Sequence, residues 1–280
     1  MTRLNLYNSF IKFEHTLFSL PLLFAGALLA GKTWPSWRVS FLIILAGAGA
    51  RIVALALNRI IDRHIDKLNP RTQDRHLASG KIKLIEAWFI LLVSLVIYLL
   101  AAWSLSEFCL KLSWLPVLGF SAYPFFKRFT KWAHLGLGIV WSLVPIGGFF
   151  AVHPSFDGMT PILLLALFSV FWLAGFDIIY AIQDEEFDRR VGLHSLPAKW
   201  GGKKALRISA LFHVLSFFTL VILYAIFFSG PFTVICLGVI GILLYLEQSF
   251  SHNVNLSFFH INVILGFVVL VFVFCGIKGF

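Results

Sequence analysis

The chain has 280 residues, of which 59% are hydrophobic and 13% charged, and its mean hydropathy is +0.89. Soluble domains carry about 25% charged residues, so a soluble protein is excluded and one polytopic membrane domain over residues 1–280 is expected. The net charge of +10 is not gathered into a basic domain outside the apolar segments, which argues against a nucleic-acid partner.

A membrane-crossing helix needs about 20 predominantly apolar residues. Nine segments qualify, near 13–31, 39–61, 84–103, 108–126, 135–152, 160–183, 206–228, 231–250 and 257–277. The expected fold is all-α, a bundle of nine transmembrane helices. The first segment is followed by small residues, as a signal peptide would be. Glu14 and His15 at its start, and eight further spans, favour a retained helix. In Ala46-Gly47-Ala48-Gly49-Ala50, small side chains let helix backbones approach closely. Cys109, Cys236 and Cys275 lie in or beside apolar stretches without CxxC or Cys/His spacing, so neither a disulfide framework nor a zinc site is expected.

Lys and Arg mark the cytoplasmic side. Residues 59–83 hold seven of them, 127–131 three, 189–207 six, and the N-terminal stretch adds Arg3 and Lys12. The opposite side holds Lys32, Arg38, Lys111 and Lys278, an asymmetry of 18 to 4 with Arg51 inside a span. The N-terminus and the loops after spans 2, 4 and 6 are therefore expected to face the cytoplasm.

Eight of the 13 acidic residues fall in two clusters at that face. The first is Asn58-Arg59-Ile60-Ile61-Asp62-Arg63-His64-Ile65-Asp66, with Asp74 nearby; the second runs from Asp177 through Asp184, Glu185 and Glu186 to Asp188. Helical residues four apart share a face, about 6 Å apart along the axis, so Asn58, Asp62 and Asp66 form one oxygen-bearing stripe. Steps of seven and eleven residues place Asp177, Asp184 and Asp188 on another. Such carboxylates repel unless a cation joins them. Mg²⁺, which takes oxygen ligands shared between carboxylates and substrate phosphates, suits the pattern. Asp62 to Asp184 and Asp66 to Asp188 are both 122 residues, as expected for two related four-helix halves plus a ninth helix.

Basic residues complete the set. Arg51 lies two turns before Asn58 on the same face, at a depth where arginine usually lines a cavity with a partner. Tyr123 and Lys127 are four apart at the end of span 4, and Arg71 and Arg75 follow the first cluster. Paired acids holding Mg²⁺ within a ring of Lys and Arg describe a diphosphate clamp. Other signals carry less. Asn255-Leu256-Ser257 is a sequon on the expected cytoplasmic side, Gly201-Gly202-Lys203-Lys204 lacks the rest of a P-loop, and His64, His76 and His194 are expected at the surface or supporting the site.

The stretch NRIIDRHIDKLNPRT resembles the NxxxDxxxD motif of the UbiA superfamily of membrane prenyltransferases, and DIIYAIQDEEFDRRVGLHSLPAKWG resembles its second aspartate motif. Tyr123 and Lys127 in SAYPFFKR match its YxxxK motif. The likeness spans essentially the whole chain. It implies a helical bundle in a bacterial inner membrane, with a cavity open to lipid for a prenyl chain and a site facing the cytoplasm. By position, Asn58, Asp62, Asp66, Asp184 and Asp188 would hold Mg²⁺ and the diphosphate. Arg51, Lys127, Arg71 and Arg75 would contact phosphate oxygens, and Asp177 and Tyr123 would lie nearer the reacting carbon and the acceptor. No obligate protein partner is implied.

Within the superfamily, YAIQDEEFD followed by GLHSLPA resembles enzymes that prenylate 4-hydroxybenzoate for ubiquinone. The first helix, IKFEHTLFSLP, departs from the Asp-Lys-Pro element of enterobacterial members and resembles a branch acting on dihydroxynaphthoate in the futalosine route to menaquinone. The implied chemistry is ionisation of an allylic diphosphate, attack by the electron-rich ring, and removal of the ring proton by Asp177, Asp184 or diphosphate. A secondary transporter of an anionic solute remains the alternative of a different class, since Arg51 and half-to-half symmetry fit one.

Overall fold

The computed structural model describes residues 3–11, 19–253 and 260–280; among them the chain is helical, with no strand. Lys12, Glu14, His15 and the sequon at Asn255 lie outside these residues. A short α1 (Arg3–Ile11) precedes α2 (Ser19–Gly31), α3 (Trp37–Leu68) and α4 (Leu84–Leu105). Next come α5 (Glu107–Leu112), α6 (Trp114–Phe126), α7 (Ala133–Val152) and α8 (Thr160–Ala181). The short α9 (Glu185–Val191) and α10 (Leu196–Trp200) lead into α11 (Gly202–Phe227), α12 (Pro231–Ser249) and α13 (Asn262–Lys278).

Local chemistry sets several of these boundaries. The Ser36 hydroxyl accepts the Val39 amide at 3.4 Å and opens α3, which then runs for 32 residues. At 1.5 Å per residue that is about 48 Å, longer than the roughly 30 Å hydrocarbon core. The helix therefore outruns the expected 39–61 and carries Asp62 and Asp66 on its projecting end. The expected helix over 108–126 is instead broken at Ser113. Pro116 has no amide to donate to Leu112, and its ring crowds that carbonyl. At the break Ser113 donates to the Leu110 carbonyl at 2.7 Å while its own carbonyl accepts Tyr98 Oη at 3.1 Å.

Among the described residues six helices are long and apolar enough to cross a membrane: α3, α4, α7, α8 continued through α9, α11 and α12. Two more apolar helices, α2 and α13, are shorter at 13 and 17 residues. Large apolar side chains such as Phe89, Phe218 and Ile242 point outward, a surface suited to lipid rather than water. The protein is an integral membrane protein. Of these helices α8 is the most buried and the central one.

Packing depends on close backbone approach. A Cβ on Gly26 would fall 1.9 Å from the Pro145 carbonyl oxygen, and one on Gly148 would fall 1.8 Å from that of Leu23. The two glycines thus face reciprocal carbonyls where α2 meets α7, and lipid-buried helices gain van der Waals contact this way. Behind α8, Leu22, Phe168, Trp172, Leu220 and Phe272 form the main core. A buried polar chain ties α8 to the last helices. Trp172 Nε1 donates to Asn262 Oδ1 at 2.7 Å, and Asn262 Nδ2 donates to Glu247 Oε1 at 2.7 Å.

Candidate active site

The stripe read from the sequence lies on α3 as one helical face. Asp62 and Asp66 are buried. Asp62 Oδ2 accepts Lys127 Nζ at 2.6 Å and Asn58 Nδ2 at 3.3 Å, while Oδ1 accepts Arg128 Nη2 at 3.4 Å. Lys127 is the residue that ends α6, and its carbonyl accepts the His194 amide at 2.6 Å. Asp66 accepts Arg75 Nη1 through both oxygens, at 2.9 and 3.0 Å. Thr72 donates to the Asp66 carbonyl at 3.1 Å and helps fold the loop that brings Arg75 back.

The second cluster is less regular than its spacing implies. A 3-10 turn, Ile182–Asp184, separates α8 from α9. A 3-10 helix advances about 120° per residue against about 100° in an α-helix, so Asp184 and Asp188 turn away from the line through Asp177 by roughly 60°. Asp184 is gripped by the loop after α3: Asn69 Nδ2 and Arg71 Nε both donate to Oδ1 at 2.8 Å, and Arg71 Nη2 donates to Oδ2. Arg71 Nη1 also donates to Tyr180 Oη at 2.6 Å. Burial works against the Arg71 charge, and the Asp184 and Tyr180 contacts outweigh it, leaving the guanidinium above its ordinary pKa. Asp188 is hydrogen-bonded by Ser195. The loop after α3 and the end of α8 are therefore joined by the Arg71–Asp184 ion pair.

Beside this face lies a cavity of about 560 Å³, within the usual range for a small-molecule site. Its polar end holds Asn58, Asp74, Arg75, Asp177 and Tyr180, and its walls deepen into apolar residues including Leu112, Trp141 and Phe150. Arg51 and Tyr123 stand between. Tyr123 is within electrostatic reach of Asp62, Arg51, Asp177 and Arg75. Arg51 lies with its guanidinium 5.9 Å from the Trp141 ring centre, and its buried Nε has no hydrogen-bond partner among the described residues. Of the residues singled out from sequence, Arg51, Asn58, Arg75, Tyr123 and Asp177 line the cavity. Asp62, Asp66, Asp184, Asp188, Arg71 and Lys127 are outside its lining.

Sequence reasoning passed over three contributors, Asn69, His134 and Tyr180, and named Arg128 only as the neighbour of Lys127. Asn69 and Tyr180 sit next to the motifs, where an oxygen or nitrogen side chain near a helix end was the available signal. His134 Nδ1 lies 2.7 Å from Asp177 Oδ2, yet it belongs to no spacing pattern. His76, expected at the surface or in support, lines the cavity edge-on to Phe10. Among the described residues no three His, Cys, Asp or Glu side chains converge to hold a metal ion.

Over residues 19–257 the chain matches the UbiA prenyltransferase family. It belongs to that family. A 4-hydroxybenzoate octaprenyltransferase of Janthinobacterium sp. (strain Marseille) is 34% identical over 207 residues, 72% of this chain and 71% of that one. A protein of the same name from Coxiella burnetii (strain CbuK_Q154) is 32% identical over 65% of this chain and 63% of its own. The ligand-free structure of a UbiA homolog from Aeropyrum pernix K1 superposes with a TM-score of 0.82, 32% identity, and coverage of 95% of this chain and 98% of that one. A UbiA homolog from Archaeoglobus fulgidus bound to GPP and Mg²⁺ shares the fold at a TM-score of 0.70 and 20% identity, over 98% of this chain and 99% of that one. The chain is thus a membrane prenyltransferase with the UbiA fold.

Proposed function

We propose that this UbiA-family enzyme transfers a polyprenyl group from its diphosphate to 4-hydroxybenzoate, at the cytoplasmic face of a bacterial inner membrane. The observation that carries this reading is the graded cavity. Cations and carboxylates, Asp177 among them, gather at one end, Arg51 and Tyr123 stand between, and apolar walls lie beyond. A diphosphate head, an aromatic hydroxy acid and a prenyl tail have that same order of polarity. Nine crossing helices in two related halves, and the 18-to-4 charge asymmetry that orients them, belong to the same reading.

Asn58, Asp62, Asp66, Asp184 and Asp188 offer only oxygen donors, which fits Mg²⁺. Mg²⁺ usually takes one or two carboxylates together with substrate phosphates, and these residues could supply the carboxylates. Bound there, Mg²⁺ would supply charge to the departing diphosphate. Arg71, Arg75 and Lys127 would turn from their carboxylates to phosphate oxygens, and Arg51 would face the anionic part of a bound substrate. Apolar walls that include Phe150 and Phe176 would keep water from the allylic cation.

The test is mass spectrometry of lipid products formed by the purified protein with Mg²⁺ and a labelled polyprenyl diphosphate. Prenylated 4-hydroxybenzoate is expected. A product from 1,4-dihydroxy-6-naphthoate alone would move the acceptor to the menaquinone route, while gradient-driven solute uptake without diphosphate release would overturn the enzyme reading.

A further inference from the structure

His134 stands in the first turn of α7, buried, and belongs to neither aspartate cluster. Its Nδ1 lies 2.7 Å from Asp177 Oδ2, and its Nε2 lies 3.4 Å from the backbone nitrogen of Leu196. A backbone amide can only donate. Nε2 is therefore the bare nitrogen, and Nδ1 carries the hydrogen given to Asp177. Asp177 lines the cavity with Arg51 and Tyr123, and its side chain keeps 25% exposure. With Oδ2 held by the imidazole, Oδ1 is the oxygen available to a ligand.

We propose that His134 is a positioning residue that holds Asp177 as hydrogen-bond acceptor for the phenolic hydroxyl of the aromatic substrate. The proposal rests on the aromatic acceptor put forward above. A carboxylate accepting from that hydroxyl pushes electron density into the ring and makes the carbon beside it more nucleophilic. The allylic C–O bond breaks first, its electron pair leaving with diphosphate, and that ring carbon then bonds to the allylic cation. The hydroxyl proton passes to Asp177 while its oxygen takes on carbonyl character. The ring C–H proton then goes to the released diphosphate, and Asp177 returns its proton to the oxygen as aromaticity is restored. Asp177 ends as it began, and the ring has exchanged one hydrogen for the prenyl group.

Because His134 also meets Leu196 at the head of α10, a purely architectural role is the competing account. Two substitutions separate them. His134→Asn keeps an N–H donor close to the position of Nδ1, whereas His134→Leu keeps the bulk and removes the donor. Each is assayed with Mg²⁺, varying 4-hydroxybenzoate and polyprenyl diphosphate in turn, alongside the thermal midpoint in detergent. His134→Leu is expected to lose about tenfold to a hundredfold in kcat/KM for the acceptor, within reach of a positioned acid–base group. KM for the diphosphate and the thermal midpoint should stay near wild type, and His134→Asn should recover most of the loss. If His134→Leu does not accumulate, His134→Met is read in its place. Equal losses in the Asn and apolar variants, or a raised diphosphate KM together with a lowered midpoint, would overturn the role. So would wild-type acceptor kinetics in the apolar variant. A wild-type protein that prenylates no phenol would overturn the acceptor reading itself, and this role with it.

Discussion

Lys127 reaches from the end of α6 to Asp62 on α3 with an Nζ to Oδ2 distance of 2.6 Å, so the YxxxK and NxxxDxxxD motifs meet in one ion pair. Asn58 shares the same oxygen. Asp62→Ala is expected to lower prenyl transfer at least about a hundredfold, the scale of losing a transition-state electrostatic contact. The variant should still insert and purify as a folded protein. Near-normal turnover by radiolabel transfer would remove Asp62 from the site.

Arg71 holds Asp184 through two nitrogens and Tyr180 through a third. A lysine carries the charge but not the planar fork. Arg71→Lys is therefore expected to cost about tenfold in kcat/KM for the diphosphate, equivalent to ~1.4 kcal/mol. Initial rates across a diphosphate series decide it, and an unchanged rate would show that charge alone suffices.

Chelation offers a third check. EDTA should stop diphosphate release and added Mg²⁺ should restore it. Ca²⁺, which prefers longer bonds and more ligands, should restore it poorly. Full activity after exhaustive chelation would contradict the oxygen-donor reading.

Packing predictions are independent of the chemistry. Gly148→Ala places a methyl group 1.8 Å from the Leu23 carbonyl oxygen. Overpacking of this kind typically costs about 1–3 kcal/mol, and a lowered thermal midpoint in detergent is the expected readout.

Asn262 is the middle of the chain from Trp172 to Glu247. Asn262→Leu leaves both neighbours without that partner, at about 1–3 kcal/mol for each orphaned group. Guanidinium or thermal denaturation of the purified protein should show it, and a wild-type midpoint would mean that the neighbours find other partners.

The sequence carried the α3 stripe well, because an uninterrupted helix converts four-residue spacing directly into a shared face. It carried the second cluster only in part. The same arithmetic at Asp177, Asp184 and Asp188 assumes one regular helix, and the 3-10 turn at Ile182–Asp184 changes the angle. Pro116 was visible in the sequence and broke the expected helix at Ser113, a local rule that the hydropathy of 108–126 obscured. The His134–Asp177 contact was not legible, since it joins residues 43 apart through tertiary packing alone.

The pairing of Asp62, Asp66 and Asp184 with Lys127, Arg128, Arg75 and Arg71 sets three negative groups against four positive ones within one patch. Such a patch behaves as an ion exchanger already loaded with its own counter-charges. A bare diphosphate entering it would win the cations only by stranding the carboxylates, and a bare divalent cation would strand the arginines. When the two arrive together, each fixed charge trades one partner for another of the same sign. On the proposed reading, the resting salt bridges act as a coincidence filter that admits metal and diphosphate jointly and resists either alone.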